Sequence, residues 1–464
     1  MKKSLFKLCE LFGDSVVEKH LFKFYLDSNN IDQQNSEIIE DYLKDFNLNK
    51  ELMNEINSLK IITFEDLEKS QELLIPPNDR KINGAFFTPR KIVNKIIEEV
   101  SPLVNESCVD LSCGCGAFLI GLIKFFKENH NKSIKDSLRE NIYGYDILDY
   151  NIRRSKILIT IFGLENGEVI NYSDFNLISC DSLKYDWDIK FDIVVGNPPY
   201  VKFQDLDQAL RNYLIDNYET IAKGTFNLYF AFFELGYKLI KENGRLGYIT
   251  PNNYFTSLSG VNLRNYFSKK KAIYKIIDFN SKKVFDVLTY TALTFLDKKN
   301  KKSILFNKYF SGDFNQFIDS LTEGLSSVAY SNLKDKKWRL LLDKDQLNIH
   351  KIENSGRQIG DLFTINVGIA TLRDDLYIID GQDSNGYFKL FKEVKYYIEK
   401  DLIKSLYKIS DFNNQIECDQ NQKKIIFPYR VVNNKSIFID EKDMESSYSL
   451  AWKYFSVIKE HLQL

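Results

Sequence analysis

Four consecutive residues, Asn197-Pro198-Pro199-Tyr200, stand directly after a buried-looking run, Phe191-Asp192-Ile193-Val194-Val195, and a glycine, Gly196. Their types suit the activation of a planar amine or amide nitrogen, a poor nucleophile because its lone pair is delocalised. The Asn197 side-chain oxygen and the Pro198 carbonyl can accept both amine hydrogens, which favours a tetrahedral nitrogen with a localised lone pair. Two prolines in succession fix φ and hold these acceptors rigid. Tyr200 offers a face to a base taken out of its stack. Such chemistry rests on positioning rather than on a strong base, and it suits a chain with four histidines. Asn-Pro also opens ordinary tight turns, so the surrounding residues decide between a turn and a site.

A second constellation lies upstream. In Val109-Asp110-Leu111-Ser112-Cys113-Gly114-Cys115-Gly116-Ala117-Phe118, Ser112, Gly114 and Gly116 fall between a predicted strand and a predicted helix, where backbone approaches a ligand closely. The spacing is not the Gly-x-Gly-x-x-Gly of dinucleotide sites. Asp146 ends the next predicted strand, where an acidic residue can accept ribose hydroxyls. Asp181-Ser182 follow a further strand end, and Asp181 can accept a hydrogen bond from an adenine amine. Either aspartate alone also reads as a loop or helix-cap carboxylate. Their joint placement favours an adenosyl cofactor.

The elements that must hold these residues show as a change of texture. From Leu5 to about Lys69 apolar residues recur every three or four positions (Leu5, Leu8, Phe12, Val16; Ile38, Tyr42, Phe46), which predicts amphipathic helices. Ile75-Pro76-Pro77-Asn78 breaks the pattern. Short β-branched runs then alternate with helical stretches: Cys108–Leu111, Ile142–Tyr145, Phe191–Val195, Arg245–Ile249, Lys275–Asp278 and Ala292–Phe295. That rhythm predicts a helix-covered, mainly parallel α/β sheet of Rossmann-like type. It fades at the lysine-rich stretch from Lys298 to Lys302, which reads as a domain edge. Beyond it, Leu362–Ile365, Leu376–Ile379 and Lys424–Phe427 look strand-like. The expected organisation is a helical extension over 1–80, a catalytic domain over 81–305 and a mixed α/β domain over 306–464.

Bulk properties narrow the classes. The 63 basic and 64 acidic residues leave a formal charge of -1, which excludes a uniformly basic coat but not local patches. Six scattered cysteines suggest neither a disulfide framework nor a zinc site, and no metal is expected. No apolar run reaches the roughly 18 residues of a membrane span, and charges interrupt the N-terminus before a signal-peptide core forms. The expected compartment is the cytoplasm. Transfer to cytosine C5 needs a cysteine nucleophile, and no Pro-Cys pair exists in the chain.

With these motifs in place, the chain resembles the gamma-class N6-adenine DNA methyltransferases of the TaqI type, enzymes of restriction-modification systems. The resemblance covers about Gly84 to Asp297 closely and the remainder more loosely. It implies S-adenosylmethionine as cofactor and double-stranded DNA as partner. Gly84-Ala85-Phe86-Phe87-Thr88-Pro89 resembles the family's first cofactor segment, so Thr88 and Pro89 would contact the methionine part and Asp110 the amino group. Phe232 would pack on the cofactor adenine. Phe285 matches the family position that stacks on a flipped target adenine, although with 35 phenylalanines in the chain a core position is an equal reading. Lys270, Lys271, Lys282 and Lys283, with Tyr266, Tyr274 and Tyr290 interleaved, would contact phosphates; a solvated face is the alternative.

Ile359–Phe363, Val367–Thr371 and Ile425–Tyr429 carry a diffuse resemblance to the family's target-recognition region, with DNA expected between the two domains. Many relatives continue beyond Trp452–Phe455, which implies an incomplete recognition domain, and a separate restriction endonuclease or specificity subunit as partner. Two rival functions suit the same residues: methylation of RNA or of a protein glutamine, and a non-catalytic DNA-binding subunit.

Overall fold

The structure, a computed structural model, describes residues 2–33, 36–76, 79, 88–221, 225–285, 290–365, 368–369, 371, 373–432 and 435–462. Among them one sheet of nine strands forms from β1 (Cys108–Asp110), β2 (Ile142–Asp146), β3 (Asn176–Ser179), β4 (Phe191–Gly196), β5 (Ile240–Pro251), β6 (Ile273–Lys283), β7 (Tyr290–Asp297), β8 (Ser303–Lys308) and β9 (Ser326–Ala329). The order is β3-β2-β1-β4-β5-β7-β6-β8-β9. The strands β3, β2, β1, β4 and β5 pair in parallel. β7 inserts antiparallel between β5 and β6, and β8 continues parallel to β6.

Central parallel strands are covered on both faces, so they read as continuous apolar runs. In β4, Phe191, Ile193, Val194 and Val195 are all fully buried. Ile193 and Val195 join one core layer and Val194 the opposite one, as the two-residue period of a strand requires. The chain reverses its direction of winding between β1 and β4. Ligands of open α/β sheets collect at such a switch point, beyond the carboxyl ends of the strands.

On one face lie α6 (Arg90–Val100), α7 (Ala117–His130), α8 (Ile134–Glu140) and α9 (Asp149–Glu165), with the N-terminal helices α1 (Lys2–Phe12), α2 (Asp14–Ser28), α3 (Glu37–Leu43), α4 (Lys50–Ser58) and α5 (Phe64–Leu73) packed into the same core layer. Buried polar contacts join the two sets: Arg154 Nε donates to Glu18 at 2.8 Å, Tyr25 donates to Glu165 at 2.6 Å, and Arg90 pairs with Glu68. The opposite face carries α10 (Gln208–Asn217), α11 (Tyr229–Leu239) and α12 (Val261–Lys270), whose aromatic residues fill the second layer.

The expected boundary at residue 305 moves. The compact units are Met1–Asn354 and Ser355–Leu464. Lys298–Lys302 is a short turn between β7 and β8, with Asn300 at φ 49°, rather than a linker. Ile304 and Phe306 bury one side of β8 and extend the sheet past the edge that β6 would otherwise expose. The N-terminal helices likewise share the larger unit's core.

Within the second unit, Gly381–Asp383, Gly386–Phe391 and Val394–Ile398 form an antiparallel meander, and Ile403–Ser405 pairs with Lys424–Ile426. The helix Ser449–Leu462 supplies Tyr454 and Ile458 to a core with Ile398, Leu402 and Ile426. The unit is mixed α/β, as expected. Two runs expected as strands instead begin inside helical turns: Leu362, the first residue of Leu362–Ile365, ends the turn Ile359–Leu362, closed by a Gln358–Asp361 capping box, and Leu376 and Tyr377 of Leu376–Ile379 end the turn Asp374–Tyr377, with acidic residues in its first turn, while Ile378 bridges Ile425. Both capping and acidic first turns favour a helix start, which apolar alternation alone misses.

Candidate active site

The site is built on the carboxyl ends of β1, β2, β3 and β4. Asp110 ends β1, 2% exposed, and accepts the Ser112 N–H at 2.9 Å. Burial pushes its carboxyl up to about 8, the nearby Asp146 adding to the effect and the Ser112 bond opposing it. Among the described residues no Lys, Arg or His forms an ion pair with it. Gly116 starts α7 at φ 90°, a left-handed conformation that glycine adopts without strain, and a Cβ there would lie 3.0 Å from Ser155 Oγ. Ser155 in turn donates to the Gly114 carbonyl at 2.9 Å, so α9 pins the glycine turn.

Asp146 ends β2 and is nearly buried. It accepts N–H groups from Gly114 and Leu148, both at 2.9 Å, and the Asn151 amide at 3.0 Å. Burial raises its pKa while these three bonds pull the other way. Asp181 follows β3, accepts the Leu183 N–H at 3.1 Å and lies 3.3 Å from Lys184 Nζ. The Ser182 hydroxyl donates to the Leu111 carbonyl at 2.6 Å, tying the loops after β3 and β1 together. Phe232, on α11, is 6% exposed.

Asn197-Pro198-Pro199-Tyr200 leaves β4 through Gly196, where a Cβ would come within 2.8 Å of Asp110 Oδ1. A glycine is therefore needed for β4 to approach Asp110 so closely. The Asn197 amide nitrogen donates to Thr88 Oγ1 at 3.0 Å, which fixes the rotation of the amide. Thr88 thus touches the Asn197 side chain, a partner the sequence did not reveal. Pro89 caps α6 from outside the cavity, and residues 84–87 of the same segment lie outside the described residues. Tyr200 donates to the Ile249 carbonyl at 3.1 Å. Its ring meets Phe285 edge to face, 6.2 Å between centroids and 72° between planes. Phe285 is 7% exposed and belongs to the core layer, so its ring and that of Tyr200 do not face each other across a slot.

A cavity of about 280 Å³ opens at this edge of the sheet. Its wall includes Thr88, Asp110, Asp146, Asp181, Asn197 and Phe232, together with Ser112, Gly114, Ser182 and Pro199. Gly116, Pro89, Pro198, Tyr200 and Phe285 lie outside it. Among the contributors that were not legible are Glu72 and Ile75, from the end of the helical extension, and Ile147, 56% exposed directly after Asp146. An apolar residue following an acidic strand end is a signal that could have found Ile147; nothing local marks Glu72.

The four lysines do not form one patch. Lys270 ends α12 and Lys271 follows it at φ 47°, both before β6 begins. Lys282 and Lys283 stand at the far end of that eleven-residue strand, roughly 30 Å away at about 3.3 Å per residue. Because β6 runs in the same direction as β4 and β5, Lys282 and Lys283 share the site's edge and Lys270 and Lys271 occupy the opposite one. Lys275, between them, is 8% exposed and paired with Glu99 at 2.6 Å. The spacing in sequence mimics a patch that the extended strand pulls apart.

A parallel sheet with one inserted antiparallel strand and a glycine turn after β1 defines a methyltransferase-type α/β fold. Residues 126–285 match the Eco57I restriction-modification methylase family. Among relatives, the chain is 27% identical to the Type II restriction enzyme and methyltransferase RM.Eco57I of Escherichia coli, over 84% of this chain and 46% of that protein. It is 25% identical to the Type II methyltransferase M.BstVI of Geobacillus stearothermophilus, over 67% and 62%. The chain thus spans about half to three fifths of these relatives' length. Two solved structures share its fold: the DrdV–DNA complex (TM-score 0.56, 15% identity, 80% of this chain and 46% of that one) and the type IIG restriction endonuclease BpuSI (0.54, 16%, 89% and 54%). The resemblance to restriction-modification DNA methyltransferases is borne out by these sequence relatives.

Proposed function

We propose that the chain is an S-adenosylmethionine-dependent DNA methyltransferase that modifies the N6 amine of adenine within a restriction-modification system. The observation that carries this reading is the meeting, in one cavity, of Asn197 and Pro199 with the carboxylates of Asp110, Asp146 and Asp181. The residues fit the cofactor. Asp110, whose carboxyl burial pushes up, suits the methionine ammonium; Asp146 suits ribose hydroxyls; Asp181 and Phe232 suit the adenine edge and face. An anionic dinucleotide fits poorly, since no basic side chain lines the wall among the described residues.

When bound, the cofactor supplies a methyl group on a sulfonium. The chain's own part is to bind the target amine and localise its lone pair. Asn197, its amide fixed by Thr88, and the Pro198 carbonyl accept the amine hydrogens, and Tyr200, anchored through Ile249, presents a ring to the flipped base. Phe285 supports that ring from its edge and is proposed to reach the base only with DNA bound. The Ser355–Leu464 unit is the proposed target-recognition domain, and Lys282 and Lys283 the phosphate contacts. A separate endonuclease or specificity subunit is the proposed partner, and the cytoplasm the proposed compartment.

The test is incubation with labelled S-adenosylmethionine and equal masses of unmethylated DNA, RNA and unfolded protein. The reading expects label in DNA. Label confined to RNA or protein would reject it.

A further inference from the structure

A buried guanidinium is committed to a surface turn. Arg264, on α12, is 0% exposed, and its hydrogen bonds go to main-chain carbonyls: Nη1 donates to Tyr254 at 2.6 Å and to Ser257 at 2.9 Å, Nε to Asp335 at 2.9 Å and Nη2 to Lys336 at 2.7 Å. Burying a cation is costly unless its donors are satisfied, so these carbonyls must stay in place. The segment they fix, residues 252–260, follows β5. The Ser257 N–H donates to the Asn253 carbonyl at 2.9 Å, and the N–H of buried Trp338 to the Phe255 carbonyl at 2.7 Å. A Cβ at Gly260 would come within 2.6 Å of the Tyr254 carbonyl oxygen. On this rigid turn stands Leu258, 87% exposed. A single exposed leucine is ordinary on a protein surface; its place beside the site and the buried cation that fixes its turn set this one apart.

β5 runs parallel to β4, with Tyr248 beside Gly196, so the turn leaves the sheet at the same edge as Asn197. Asn253 Oδ1 accepts the Tyr229 hydroxyl at 2.8 Å, and the Tyr229 ring meets that of Tyr200 edge to face, 6.2 Å between centroids and 74° between planes. One side chain thus separates the turn from the proposed base pocket. Resting on the reading of DNA as substrate, we propose that Leu258 is a wedge that enters the base stack as the target adenine leaves it. Extruding a base costs stacking and pairing energy and leaves a gap between the neighbouring base pairs. An apolar side chain inserted there fills the gap, and a leucine that stands in water beforehand favours the inserted state by its burial. A turn already rigid adds little ordering cost at that moment. Leu258 therefore acts on the equilibrium between stacked and extruded adenine and leaves methyl transfer itself to Asn197 and its neighbours.

The experiment uses the full chain. Sequencing of DNA methylated by the wild type locates the target adenine, and two duplexes are made with that sequence, one with thymine opposite the target and one with an abasic position there. Single-turnover methyl transfer to each is compared for the wild type, Leu258→Ser and Leu258→Met. An adenine without a pairing partner leaves the stack at little cost, so a wedge matters mainly on the paired duplex. Leu258→Ser is expected to slow transfer to the paired duplex about tenfold, the order that burial of one leucine side chain supplies, and transfer to the abasic duplex less than about twofold. Leu258→Met, of similar volume, is expected to stay within about threefold of the wild type on both. Unchanged transfer to the paired duplex by Leu258→Ser, equal slowing on both duplexes, or slowing by Leu258→Met as large as that by Leu258→Ser would overturn the wedge while leaving the methyltransferase reading standing. Absence of N6-methyladenine from DNA incubated with the wild type would overturn both.

Discussion

At the scale of single residues the account turns on Asn197, Thr88 and Asp110. Asn197→Ala should lower kcat on the order of 10²–10³-fold, the usual cost of removing one preorganised polar group, with S-adenosylmethionine affinity retained in calorimetry; parallel loss of both would contradict its role. Thr88→Val removes the 3.0 Å partner of the Asn197 amide and should lower kcat about tenfold with little change in cofactor Kd, as a positioning role requires. Asp110 gives a pH signature. Its folded pKa of about 8 lies above the ordinary value of 3.8, so its contribution to stability is complete below the unfolded pKa and declines as pH rises from there through about 8. Melting of the cofactor-free protein should therefore fall over this window, less so in Asp110→Asn, and S-adenosylmethionine should restore most of the loss at pH 8. The residues legible in the sequence were those at strand ends, because a ligand site there needs only local order: Asp110, Asp146, Asp181 and Asn197 all line the cavity. Glu72 and the Thr88–Asn197 bond were not, since each joins segments far apart in the chain.

At the scale of elements, β6 separates what sequence proximity had joined. Lys282→Gln with Lys283→Gln should weaken DNA binding and reduce the slope of log affinity against log salt by about 0.9 for each phosphate no longer neutralised. Lys270→Gln with Lys271→Gln should leave both unchanged, and a reversed pattern, read by fluorescence anisotropy across a salt series, would contradict the placement. β-branched runs identified the central strands well, because burial on both faces leaves a continuous apolar record. The helical turns at Ile359–Leu362 and Asp374–Tyr377 escaped, because capping decides them over four residues, too few for periodicity to register.

For the whole molecule, the division at Asn354 and Ser355 predicts how the chain can be cut. A fragment ending at Asn354 should fold and bind S-adenosylmethionine yet lose sequence-specific methylation. A fragment ending at residue 305 removes β9 and half of β8 and bares most of the edge of β6, a template for association, and should aggregate in size-exclusion chromatography. The boundary was hidden because a lysine-rich turn inside a sheet has the composition of a linker; the pairing of β8 with β6 is a long-range event. The most direct test of the central claim is nucleoside mass analysis of unmethylated DNA incubated with the full chain and S-adenosylmethionine, with Asn197→Ala as control. N6-methyladenine formed by the wild type and absent with the variant is the predicted result. Another methylated nucleoside, or N6-methyladenine formed equally by the variant, would contradict it.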